Sequence, residues 1–237
     1  MPASTPASAP GGQSTVRATA AAVAGTVFEW FDFFLYGSLA VVFGRLFFPP
    51  GHETAGLLAA LAVFGAGWVV RPLGALVFGR IGDRVGRRRA FLITIVLMGF
   101  STVAIGLLPT YAQVGLLAPA LLVTLRLLQG LAVGGEFGGA ATYVAEHSAP
   151  HRRGLNTSLV MGTGTIGLLL ALLAIAVTRG VLGEQAFEQW GWRLPFLASV
   201  LLLALSVYMR LHLAESPAFE KLQREGQVAH APLREAF

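Results

Sequence analysis

Apolar residues are gathered into six long runs, and polar residues are largely confined to the gaps between them. The runs cover residues 20–43, 55–78, 90–108, 114–140, 155–177 and 190–213. A helix needs ~20 mainly apolar residues to cross a bilayer, so each run predicts one transmembrane helix. Pro49, Pro50 and Gly51 break the chain after the first. Residues 109–113 read as a short uncharged turn, and residues 179–189 as a loop before the sixth run. The fourth run is long enough to cross at a tilt and carries Pro119 near its start. Residues 1–19 are rich in Pro, Ala, Ser and Gly, with Arg17 as their one charged side chain, which predicts a disordered tail. No charged segment precedes a short apolar core there, so no cleaved signal is evident. Residues 214–237 turn charged and amphipathic and predict the start of a linker.

One connection orients these helices. Gly79–Arg89 reads GRIGDRVGRRR, and its five arginines against one acid, Asp83, leave a net charge of +4. Short connections rich in Lys and Arg stay on the cytoplasmic side. With this one inside, both termini and the connection at 146–154 fall on the same side, and these segments hold most of the basic residues. The opposite connections carry Arg45, Arg179 and Arg193. The asymmetry predicts six spans with both termini cytoplasmic. Trp190 and Trp192 fall where an interfacial aromatic belt is expected.

Composition sharpens the class. The chain is 55% hydrophobic and 12% charged, against roughly 25% charged for an average soluble domain. Its mean hydropathy of +0.68 is that of a polytopic membrane protein rather than a globular domain. With no cysteine there is no disulfide and no thiolate site. A net charge of +5 and a pI near 10.4 invite a nucleic-acid reading. The clustering of arginines in inter-helix connections argues for orientation signals instead, and no nucleic-acid partner is expected. His52, His147, His151, His212 and His230 show neither metal-ligand spacing nor a paired nucleophile. Gly82–Arg87 lacks the Gly-Lys-Ser/Thr ending of a phosphate loop. No enzymatic activity, metal or cofactor is expected. The 29 glycines, dense in the fourth and fifth runs, read first as sites of close helix packing in lipid.

Ionisable residues at membrane depth are costly and should face a partner or a water-filled cavity. Four stand out: Glu29, Asp32, Arg71 and Arg126. Glu136 lies nearer the cytoplasmic end of the fourth run. Glu29, Asp32 and Tyr36 are spaced i, i+3, i+7 and share one helix face. Two carboxyls that close in a low dielectric do not both stay ionised easily, and a carboxyl that takes and releases a proton is what proton coupling needs. The alternative is structural, with both acids paired to Arg71 and Arg126. Arginine keeps its charge at depth and binds carboxylates through two parallel hydrogen bonds. Arg126, in mid-helix, is the candidate for receiving an anionic or zwitterionic substrate. Arg71, followed by Pro72 and about two turns from the arginine-rich connection, reads as structural.

GRIGDRVGRRR resembles the signature between helices two and three of the major facilitator superfamily, Gly-x-x-x-Asp-Arg-x-Gly-Arg-Arg-Arg, without a mismatch. Arg126-Leu-Leu-Gln129-Gly130 with Gly134-Gly135-Glu136 resembles its fourth-helix motif, and Tyr143-Val-Ala-Glu146 with Arg152-Arg153-Gly154 the connection after it. Gly25–Phe33, Arg71-Pro72-Leu73-Gly74, Gly191–Phe196 and Glu215–Phe219 are similar to the metabolite:proton symporters of that superfamily, with a departure at Phe31, where tyrosine is usual. The resemblance runs from about residue 20 to the end.

It implies an all-α membrane fold in which residues 20–213 form the first half of a twelve-helix transporter, built from two inverted three-helix repeats. It implies proton-driven symport of a small carboxylate or betaine-like zwitterion, with Glu29, Asp32, Tyr36 and Arg126 at the proton and substrate site. It also implies a cytoplasmic latch in which Gly79, Asp83, Arg84, Gly86, Arg87 and Glu136 take part, Asp83 capping a helix of the second half and Arg84 or Arg87 reaching Glu136. The expected partners are the substrate, the proton, the bilayer and a second six-helix half, since binding in this fold lies between halves. The alternative is a non-transporting half or an assembly subunit that needs a second six-helix chain.

Overall fold

A computed structural model of the chain describes residues 12–212 together with Arg224 and Glu225, and its regular structure is helical. In order the elements are α1 (Gly12–Ser38), α2 (Ala40–Phe47), α3 (Glu53–Val69), α4 (Arg71–Val85), α5 (Arg87–Leu107), α6 (Tyr111–Val114), α7 (Leu117–His147), α8 (Arg153–Leu182), α9 (Glu184–Ala186) and α10 (Arg193–Leu211). Five of the helices or continuous helix pairs are long and apolar enough to cross a membrane, and the bent pair α1–α2 makes a sixth. The six predicted runs are therefore all present as helices. The expected linker at 214–237 lies outside the described residues apart from Arg224 and Glu225.

Boundaries differ where backbone chemistry overrides hydropathy. Helix α1 begins at Gly12, inside the stretch read as a tail. The first span bends by 62° at Leu39 and continues to Phe47. Gly37 and Ser38 stand at that bend, a pair that commonly kinks helices. The second span is a nearly continuous helix, Glu53–Val85, stepped at Val70. Pro72 sits in the first turn of α4, where its missing N–H costs nothing. That helix runs past Phe78, so the arginine-rich connection is not a loop. Residues 79–85 are helical, α5 starts at Arg87, and Gly86 alone makes the turn, at φ 99°. A residue with a Cβ is strained at that dihedral.

Packing explains the order of the helices. Span one (α1) lies against spans five (α8) and six (α10), and span four (α7) lies against spans two (α3, α4) and three (α5). Exchanging one with four, two with five and three with six turns the first set of neighbours into the second. The α5–α10 and α1–α7 contacts map onto themselves. This is the neighbour pattern of two repeated three-helix units. At the α4–α7 seam the backbones nearly touch: a Cβ on Gly74 would strike the Leu131 carbonyl, and one on Gly134 would strike that of Arg71. In lipid such close approach, rather than apolar burial, holds helices together.

The largest apolar cluster gathers at the end opposite the arginine-rich turn. Phe43, Phe47, Phe187, Trp192 and Phe196 are all fully buried in it. Trp192 is edge-on to Phe43 at 5.4 Å and to Phe47 at 5.6 Å between centroids. Of the two tryptophans expected in an interfacial belt, Trp192 is core, while Trp190 is exposed. Exposed Leu and Val side chains along the spans, among them Leu73, Leu169, Leu201 and Val181, form the outward apolar surface that hydrocarbon requires.

Two stability changes follow. Trp192→Ala opens a cavity in the aromatic cluster and costs about 3–5 kcal/mol. Gly134→Leu wedges α7 off α4 and costs about 1–3 kcal/mol. Both are expected to lower the thermal unfolding midpoint of the detergent-solubilised protein, and an unchanged midpoint for either contradicts the packing described.

Candidate functional site

The stripe Glu29, Asp32, Tyr36 on α1 faces the stripe Arg126, Gln129, Val133, Glu136 on α7, and both follow helical spacing. Asp32 and Arg126 are almost wholly buried and meet directly. Arg126 Nη1 donates to Asp32 Oδ2 at 3.0 Å and to Gln129 Oε1 at 3.0 Å. The other carboxylate oxygen, Oδ1, accepts from Gln129 Nε2 at 2.8 Å and from the Thr102 hydroxyl at 2.9 Å. Gln129 Nε2 also lies 2.9 Å from Thr102 Oγ1. Asp32 is thus held from α5 and α7 at once, and both its oxygens are satisfied.

Arg126 has a second set of neighbours. Its guanidinium stacks over the Tyr36 ring at 4.4 Å and lies 5.2 Å from the Phe64 ring. Tyr36 is fully buried and donates its hydroxyl to the Ala60 carbonyl at 3.3 Å. Its ring therefore supports the arginine, while its hydroxyl points to α3. Arg126 Nε has no hydrogen-bond partner.

Glu29 is held less tightly. Its Oε1 lies 3.7 Å from Arg71 Nη1, an ion pair longer than a hydrogen bond, and its buried Oε2 has no partner. Arg71 stacks on the Trp68 ring at 3.9 Å and keeps 20% of its side chain exposed, against 6% for Arg126. Glu29, Asp32, Trp68, Arg71, Arg126 and Gln129 line one cleft with about 260 Å³ of empty space. The four charges singled out in the sequence come together there, and each acid takes a different arginine.

Glu136 sits apart from that cleft, one layer toward the arginine-rich turn. It is fully buried, and its Oε1 pairs with Arg210 on α10. Arg210 also donates to the Phe91 carbonyl at 3.0 Å. The partner expected for Glu136 was Arg84 or Arg87. Arg84 is exposed, the Arg87 side chain lies outside the described residues, and Arg210 occupies the carboxylate. Asp83, Gly79 and Gly82 line a groove of about 590 Å³ between α4, α5 and α7. Gly86 makes the turn beside it.

Sequence reasoning passed over Arg210, Thr102 and, as a site residue, Gln129. Gln129 was signalled by its place three residues after Arg126 on the same face. Arg210 was signalled by standing inside the predicted sixth span, 190–213, rather than beyond its end. A single threonine in an apolar run carries no such signal. Among the described residues no group of acids and histidines is placed to hold a metal.

Known proteins give this geometry a context. The family profile described as "Sugar (and other) transporter" matches residues 17–235. The inner membrane metabolite transport protein YhjE of Escherichia coli is 43% identical over 90% of this chain and 49% of its own length. The shikimate transporter of the same organism is 43% identical over 87% of this chain and 48% of its own length. The proline/betaine transporter of Salmonella typhimurium is 41% identical over 86% of this chain and 41% of its own length. The chain spans about half the length, or somewhat less, of these curated relatives. A solved structure of the xylose transporter XylE from E. coli, partially occluded and inward open, shares the fold with a TM-score of 0.78 at 20% identity. It covers 90% of this chain and 53% of that one, so the six helices here match half of its length. Profile, relatives and fold agree, and the chain belongs to the sugar (and other) transporter family of the major facilitator superfamily.

Proposed function

We propose that this chain forms one half of a proton-coupled symporter for a small carboxylate or zwitterion in an inner membrane. One observation carries the reading: Asp32, a buried acid, holds the arginine that would otherwise be free to bind an anion. A proton on Asp32 removes the charge that engages Arg126. The guanidinium then presents its fork to a substrate carboxylate. Loss of the proton restores the internal pair and expels the substrate, so proton and substrate move together. Glu29 and Arg71 on the same cleft supply a second carboxyl and a more exposed cation. The relatives' names, shikimate transporter and proline/betaine transporter, fit a carboxylate-bearing substrate.

A second six-helix half belongs to this reading, because the relatives are about twice as long and the fold binds between halves. In the latch reading Asp83, exposed at the groove beside the arginine-rich turn, would cap the N-terminus of a helix from that half. Both termini are then cytoplasmic.

Proton-driven uptake of shikimate, glycine betaine and 2-oxoglutarate is the direct test, in vesicles from cells carrying each change at the native locus. Asp32→Asn mimics the protonated acid and is expected to lower accumulation about 100-fold, the scale of a lost proton-transfer group. Arg126→Ala removes charged hydrogen bonds worth about 1.5–3 kcal/mol and is expected to lower uptake of the accepted substrate about 10–100-fold. Parental uptake in both variants overturns the assignment. Orientation has its own test, since the chain has no native cysteine. A membrane-impermeant maleimide is expected to label Glu53→Cys in intact cells and Asp83→Cys only after permeabilisation. The reverse pattern overturns the cytoplasmic placement of the termini.

A further inference from the structure

Three buried acid–base pairs are stacked along α1. Asp32 with Arg126 is the first layer, and Glu29 with Arg71 is the second, one turn away. Glu136 with Arg210 is the third, packed directly against the α1 backbone at Gly25, one turn beyond Glu29. A Cβ at Gly25 would strike both Arg210 Nη2 and Glu136 Oε1. The third pair has no part in the substrate cleft, whose lining stops at Val133 on α7.

Several features separate this pair from a simple structural bridge. Glu136 is fully inaccessible, yet only one of its oxygens is used, and Oε2 has no partner. Glu29 Oε2, in the layer above, is likewise buried and unpartnered. Glu29 lies one turn along α1 from Gly25, the residue packed against Glu136. On its far side the pair borders a second cleft of about 210 Å³, lined by Ala21, Ala22, Phe91, Ala140, Tyr143 and Arg210. That cleft lies at the end of the bundle where α4 turns into α5. Among the described residues Glu136 faces Arg210 from α10 and the α1 backbone at Gly25, while α5 contributes the ring and carbonyl of Phe91, which contact Arg210. Glu136 itself lines neither cleft: its partner Arg210 lines the second, Glu29 lines the first, and one oxygen of Glu136 is unused.

We propose that Glu136 is a proton relay between the substrate cleft and the arginine-rich end of the bundle, with Arg210 as its positioning residue. The inference rests on the proton-coupled reading above. In the step, protonated Glu29 gives its proton to the Glu136 carboxylate. Glu29 is left as a carboxylate beside Arg71. Glu136, now neutral, loosens Arg210, which keeps its hydrogen bond to the Phe91 carbonyl. Glu136 then passes the proton to water in the second cleft and takes Arg210 back. One proton moves from Glu29 to the second cleft: Glu136 ends as it began, and Glu29 stays a carboxylate until a proton from the substrate cleft restores it.

The test separates proton movement from substrate movement. Vesicles from cells carrying Glu136→Gln at the native locus are assayed for gradient-driven accumulation and for exchange of labelled against unlabelled substrate. Shikimate, glycine betaine and 2-oxoglutarate are the probes. The expected result is a loss of accumulation of about 100-fold, with exchange within about twofold of the parent. Since Glu136→Gln leaves Arg210 buried without its counter-charge, the double variant Glu136→Gln/Arg210→Met is measured beside it. A pair that is only structural regains accumulation when both charges are removed, and that result overturns the relay. So does parental accumulation in Glu136→Gln, or equal loss of exchange and accumulation in the double variant. A parent that shows exchange without any response to a proton gradient instead overturns the coupled reading itself.

Discussion

A charge cannot sit alone in hydrocarbon, and this one constraint accounts for most of the interior of the bundle. Asp32, Glu29 and Glu136 each take a separate arginine, and each pair joins two helices. Asp32–Arg126 ties α1 to α7, Glu29–Arg71 ties α1 to α4, and Glu136–Arg210 ties α7 to α10. With its acid ionised each pair is neutral, so the stack in that form adds no net charge to the core. Replacing any one partner leaves a buried charge unbalanced, at a cost of about 3–5 kcal/mol unless the remaining group changes its protonation. Acids have that escape and arginines do not. The asymmetry leaves the carboxyls as the members of each pair that can respond to a proton.

The helices can hold these pairs only because their backbones come close. The α4–α7 seam is made by Gly74 and Gly134 against carbonyls of the other helix, and the carbonyl facing Gly134 belongs to Arg71. Packing and electrostatics meet there: the glycine that lets the helices touch also sets where the arginine begins. Gly25 does the same on α1, leaving room for Glu136 and Arg210. These glycines are part of the charge site through the space they leave.

Hydropathy made the six spans legible, because ~20 apolar residues have few other uses. It did not show where helices continue through polar residues. Residues 79–85 are helical although they carry charge, since i→i−4 hydrogen bonding is indifferent to side-chain polarity once Gly86 supplies the turn. The buried charges Glu29, Asp32, Arg71 and Arg126 were legible for the same reason as the spans: an ion in an apolar run is conspicuous. Their pairing was not. Which arginine meets which acid depends on helix order, and helix order is absent from a one-dimensional pattern. Trp192 shows the same limit, because position near a span end does not tell core from interface. Glu136 read as a latch residue near the membrane surface. Its burial became visible only when α10 brought Arg210 to it.

The contrast between the three pairs carries the argument about mechanism one step further. Asp32 has partners for both oxygens, from Arg126, Gln129 and Thr102. Both of its oxygens are therefore occupied by protein donors. Glu29 and Glu136 each keep an oxygen without a partner, so their carboxylates are solvated incompletely. A group that gives up little by taking a proton suits transit, and a group that gives up much suits a switch thrown by the substrate. On the proposed proton-coupled reading, the hydrogen-bond inventory would divide the acids by role: Asp32 as the site where proton and substrate exclude each other's alternatives, Glu29 and Glu136 as places a proton passes through. Arg126 links these roles. Its cation is shared between Asp32 and the Tyr36 ring, and the ring goes on supporting the guanidinium after the carboxylate lets go.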